Sequence, residues 1–142
     1  MDISTIIFLL LAIVAWGMGA FFDKMTLRYV DSSSAFYLRT LFIMAMSVPV
    51  LVWKFFPTRQ ALFGSHKLAL LFIVSSVVVT MGGVFFYLKA MSGGEASKIV
   101  PLSSTYPFVT FIMVCLFLGE SVTVSKVIGT VLISGGIYFI SK

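Results

Sequence analysis

Five apolar runs, each about long enough to cross a bilayer, take up almost the whole chain and leave only short polar links between them. They cover about residues 3–22, 34–53, 67–88, 96–118 and 124–140. A hydrocarbon layer of about 30 Å needs about 20 consecutive apolar residues in a helix. Inside that layer only a helix or a closed barrel satisfies its own backbone. Five such helices use about 100 residues, and the chain has 142, so no soluble domain fits beside them. The expected fold is all-α and integral to the membrane, a single unit of five transmembrane helices. A charged fraction of 11% and a mean hydropathy of +1.12 agree, since a soluble domain carries about 25% charged residues.

The remaining composition excludes several functions. Cys115 lies inside the fourth run, where a lone thiol behaves as a small hydrophobe. His66 sits among polar link residues, and a metal site needs several donors, so no metal or other cofactor is expected. There is no Cys/His pair and no nucleophile elbow, so enzyme chemistry is not expected either. The net charge of +5 comes from link lysines and arginines without a continuous basic stripe. That suits contact with anionic membrane lipid and not nucleic acid. The start, Met1-Asp2, is acidic where a secretory signal is basic, and the first run exceeds a signal's apolar core. It reads as a retained helix.

Orientation is weakly specified. With five spans, one membrane face collects Lys24, Arg28, Arg39, Lys89, Lys98 and Lys142, and the other Lys54, Arg59, Lys67 and Lys126. Six cations against four is a small bias for a rule that needs an asymmetry. Two readings follow: insertion both ways up with pairing as an antiparallel homodimer, or one orientation with the N-terminus outside.

The fourth run carries the best candidate for a substrate path. It reads Val100-Pro101-Leu102-Ser103-Ser104-Thr105-Tyr106-Pro107. A proline inside a helix removes a backbone hydrogen bond and clashes with the turn before it. Pro107 therefore predicts a kink, with Ser103, Ser104 and Tyr106 beside it as polar groups. Interrupted helices of this kind mark transporter sites; the alternative is a kink that only shapes the bundle, its hydroxyls bonded back to their own helix. On the third run Ser76, Thr80, Gly83 and Tyr87 share a helical face, and on the second Tyr37, Thr40, Met44 and Ser47 do. With Trp16 and Gly17 on the first, these stripes either line a modestly polar cavity or serve as packing glue. Arg39, about a turn into the second run, either snorkels outward or faces the cavity and attracts an anionic or zwitterionic substrate. On the fifth run Ser125, Gly129 and Gly136 form a small-residue face suited to a close helix contact, within or between subunits. Ser92 and Glu95 have capping-box spacing for the start of the fourth helix, and Glu120 is expected to anchor the link to the fifth. No carboxylate lies mid-membrane in these runs, which disfavours proton-coupled export of cations.

Several of these residues also resemble a known family. Tyr87-Leu88-Lys89-Ala90, Gly94-Glu95-Ala96-Ser97-Lys98, Val100-Pro101-Leu102, Tyr106-Pro107, Leu116-Phe117-Leu118-Gly119-Glu120 and the pair Gly129 and Gly136 look like an EamA domain of the drug/metabolite transporter superfamily. Trp16-Gly17 and Arg39 sit where that family's Trp-Gly and arginine sit. The resemblance implies secondary transport of a small metabolite, by alternating access around a site between inverted halves. Most members carry the domain twice, giving ten helices, and this chain carries it once. It is thus one half of a ten-helix inverted-repeat architecture, and a dimer, homodimeric or with a similar half, would complete it. Small multidrug-resistance relatives have an acidic residue in their first span; here Ala12, Ala15, Trp16 and Gly17 stand there, so their mechanism does not transfer. A lipid or lipid-linked-sugar flippase and a non-transporting membrane subunit are the rival expectations.

Overall fold

The computed structural model describes residues 3–141. Among the described residues, seven helices follow one another: α1 (Ile3–Thr26), α2 (Ser32–Trp53), α3 (Phe55–Gly64), α4 (Lys67–Gly93), α5 (Ala96–Ser103), α6 (Tyr106–Leu118) and α7 (Val124–Ser141). No strand occurs among the described residues. Four stretches of the described residues are long and apolar enough to cross a membrane: α1, α2, α4, and residues 96–118 taken across the break between α5 and α6. The fifth, α7, is a shorter apolar helix.

Helix ends follow local chemistry. α1 runs past the apolar residues to Thr26, so Asp23 and Lys24 belong to its last turns. A cation there suits the negative end of the helix dipole, and the Lys24 ammonium also donates to the Met91 carbonyl at 2.8 Å. α2 begins where Asp31 caps it, its carboxylate accepting from the backbone N–H groups of Ser33 and Ser34 at 3.0 Å each. The hydrogen bonds from Ser34, side chain first and backbone next, hold the Asp31 carboxyl below its ordinary value of 3.8.

Two sequence expectations differ from the structure. The link 54–66, expected as a loop, contains α3; Lys54 ends α2 by donating its N–H to Val50 and serves at once as the first cap of α3. Pro57 falls in the first turn of α3, where a missing N–H costs nothing. His66 does stay in a link, and its Nδ1 accepts from the Leu68 N–H at 3.3 Å. The Ser92–Glu95 capping box does not form. α4 continues to Gly93, the Ser92 hydroxyl donates to the Lys89 carbonyl at 2.8 Å, and Glu95 caps α5 by backbone position alone. The interruption expected at Pro107 is present: Pro107 has no N–H to give the Ser103 carbonyl, and a turn at Ser104-Thr105 separates α5 from α6, which restarts with Pro107 in its first turn.

The chain divides into two compact units, Met1–Ala20 with Gly93–Lys142, and Phe21–Ser92. In the first, α5 packs on α7 and Ile137 is buried. In the second, the rings of Phe36 and Phe85 meet edge to face at 5.3 Å. That contact joins the first turns of α2 to the last turns of α4. Ala35, Leu88 and Met91 are buried in this unit.

Candidate functional site

The second unit gathers charge at one end. Arg39 lies two turns into α2 and Asp23 in the last turns of α1. One guanidinium nitrogen of Arg39 reaches both carboxylate oxygens of Asp23, at 2.5 and 2.6 Å. The Asp23 side chain keeps 18% of its surface exposed and Arg39 39%. Arg39 leans toward the N-terminus of its helix, as helical side chains do, which brings it back toward the level of Asp23. Lys24 and Lys89 belong to the same unit, the first on the Met91 carbonyl and the second over the Phe85 ring at 5.6 Å. Tyr87 is close enough to feel the charges of both Asp23 and Arg39. Arg39 is thus neither alone nor simply turned outward: its partner is Asp23, just past the apolar residues of the first run. The signal was present, because Asp23 closes one apolar run and Arg39 opens the next, and a short link makes those helices neighbours.

The other residues expected from this unit are less engaged. The Thr40 hydroxyl bonds back to the Phe36 carbonyl at 2.9 Å. Tyr37 is exposed and meets the Phe36 ring edge-on at 5.8 Å. Ser76 and Thr80 lie exposed on the middle of α4, two to three turns before Tyr87.

In the first unit the site expectation centres on the break. The Ser103 and Ser104 hydroxyls both donate to the Val100 carbonyl, at 2.7 and 3.0 Å, and the Thr105 hydroxyl donates to Leu102 at 2.8 Å. All three therefore back-bond to their own turn while their oxygens keep lone pairs for a donor. Tyr106 opens α6 and is exposed, with Pro107 beside it. Trp16 is exposed on α1, and a side chain added at Gly17 would meet open space. The same holds at Gly129 and Gly136 on α7, which bears Ser125 in its first turn. Where α6 ends, Gly119 adopts φ 66°, a left-handed conformation that suits glycine. Glu120 just beyond it pairs with Lys126 at 3.4 Å across the link to α7.

The profile of the EamA-like transporter family matches residues 3–142. The chain belongs to that family. An uncharacterised protein of Methanocaldococcus jannaschii is 33% identical over 141 residues, which make up 99% of this chain and 98% of the relative. No solved structure matches. As an EamA-like protein with several apolar helices, the chain is an integral membrane protein, and its family is one of transporters rather than enzymes. The Leu118-Gly119-Glu120 stretch that carried the resemblance has a structural use: glycine for the left-handed turn and glutamate for the ion pair that follows it.

Proposed function

We propose that this EamA-like protein is a secondary transporter of a small metabolite, working as a dimer by alternating access in the cell membrane. The observation that carries the reading is the interrupted helix. Residues 96–118 form one apolar stretch whose helix is interrupted by a turn at Ser104-Thr105, and a carbonyl that Pro107 leaves without its helical donor needs a protein or water partner at membrane depth. In a family of transporters, such a break is best used as part of a substrate path, with Ser103, Ser104, Tyr106 and Pro107 along it and Trp16 and Gly17 in the same unit. In the other unit we assign Tyr37, Arg39, Thr40, Ser76 and Thr80 to the path. Arg39 there is held by Asp23, and an anionic or zwitterionic substrate would compete with that carboxylate for the guanidinium. We further assign α7 as a fifth crossing and the dimer contact, through Ser125, Gly129 and Gly136, whose open glycine faces leave room for a partner helix. A relative of nearly the same length supports a form that carries the domain once.

Flux into vesicles reconstituted with this chain alone tests the reading, with labelled amino acids, sugars and nucleosides as probes. Pro107→Ala and Thr80→Val should reduce flux of the transported class while inserting normally. Wild-type flux in both variants would remove α4 and α6 from the path, and no flux of any probe would count against a self-sufficient transporter.

A further inference from the structure

α3 is too short to cross a membrane and too tightly tethered to leave one. Its ten residues span about 15 Å, half the hydrocarbon thickness. One residue, Lys54, ties it to the end of α2, and Ser65-His66 tie it to the start of α4. Each residue of link reaches at most about 3.6 Å. Both neighbours are membrane-crossing stretches, so α3 is confined to the boundary between hydrocarbon and water.

Its composition matches that place. Residues 54–67 contain Lys54, Arg59 and Lys67 and no acidic residue. Phe55, Phe56, Arg59, Leu62 and Phe63 recur at the spacing of one helical face, with Arg59 in the middle. The four apolar side chains of that face are all more than half exposed, Phe63 at 79%. Two open hollows of about 360 and 400 Å³ flank Arg59 and share it and Phe63 as walls. Neither ion pair of the described residues involves Arg59. An exposed aromatic face with a free guanidinium at its centre suits neither water alone nor hydrocarbon alone.

We infer that α3 is an interfacial helix that binds an anionic phospholipid, with Arg59 on the headgroup phosphate and Phe56 and Phe63 sunk among the upper acyl carbons. The guanidinium fork matches a phosphate in shape and charge, and Lys54 and Lys67 add attraction without an acid to offset it. A soluble phosphate would leave the aromatic face uncovered, so a lipid is the occupant. This inference needs the chain to lie in a membrane and is independent of whether it transports.

The full chain, purified in detergent, is mixed with equal amounts of a phosphatidylglycerol and a phosphatidylcholine of the same acyl chains, and bound lipids are counted by native mass spectrometry. The wild type should retain the anionic lipid preferentially. Arg59→Gln should lower that preference about fivefold, the effect of one cation near an anionic surface. Lys89→Gln, on the last turns of α4 about 33 Å along the helix from Lys67, should leave it unchanged. Millimolar inorganic phosphate should not displace the lipid. Equal preference in the wild type and Arg59→Gln would overturn the inference. So would an equal loss in Lys89→Gln, which would reduce the effect to net charge, or displacement by inorganic phosphate.

Discussion

Breaking the Asp23–Arg39 pair should cost more from one side than from the other. Two unit charges with centres about 4 Å apart attract by about 4 kcal/mol at an effective dielectric of about 20. Arg39 keeps 39% of its side chain exposed, so water screens part of that, and about 2 kcal/mol is the expected coupling. The two single losses are unequal because the partners are unequally covered. Arg39→Gln leaves the Asp23 carboxylate, only 18% exposed, without its cation and at the negative end of the α1 dipole, itself unfavourable by about 0.3–1 kcal/mol. Asp23→Asn leaves a long guanidinium that swings outward to water or headgroups. Arg39→Gln should therefore destabilise by about 2–3 kcal/mol and Asp23→Asn by about 1 kcal/mol or less, with the double variant well short of their sum. Titrating the four proteins of the cycle with dodecyl sulfate in mixed micelles, and following helix content, gives these values. A coupling below about 0.5 kcal/mol would place the pair among ordinary surface ion pairs. A larger loss from Asp23→Asn than from Arg39→Gln would refute the argument from unequal burial.

Two further outcomes concern helix ends. Gly119→Ala forces a Cβ into a left-handed residue, and thermal unfolding in detergent should show a loss of about 1 kcal/mol, although open space surrounds the site. At the other kind of end, Asp31 has its carboxyl held below the ordinary value, so the ionised form is favoured in the folded state. Its contribution is in place above pH 3.8 and is lost as the pH falls through the lower folded value. Amide exchange at Ser33 and Ser34 should accelerate below that pH, and Asp31→Ala should show the same fast exchange at neutral pH; unchanged exchange would mean the cap does not hold the start of α2.

The apolar runs were legible because lipid demands them: α1, α2, α4 and α7 lie where continuous hydrophobicity places them. What periodicity could not set was the ends. α1 continues past Phe22 because Asp23 and Lys24 find Arg39 and the Met91 carbonyl, contacts made with residues 16 and 67 positions away. No window of local sequence reports such partners. α3 was hidden by its mixed composition, which reads equally as a polar link or as a boundary helix. The break in the fourth run was legible in kind, since Pro107 announces one, but its place was not: it falls at Ser104-Thr105, where the helix can restart with proline in its first turn. At the candidate site, the hydroxyls could be picked out, yet their back-bonding to Val100 and Leu102 depends on the turn geometry itself.

The tight turn after α6 also bears on how the chain enters a bilayer. Gly119 reverses direction at once, and Glu120 clasped to Lys126 holds together the few residues before α7 begins at Val124. α7 has 18 residues and carries a serine and a lysine in its first turn, which leaves only a short apolar stretch for recognition by the insertion machinery. On the proposal that α7 is a fifth crossing, a link this short would deliver α6 and α7 together as a helical hairpin, the strongly apolar α6 carrying its shorter successor in with it. Lengthening that link would expose α7 to judgement on its own hydrophobicity, and the far end of the protein would become the part most prone to be left outside.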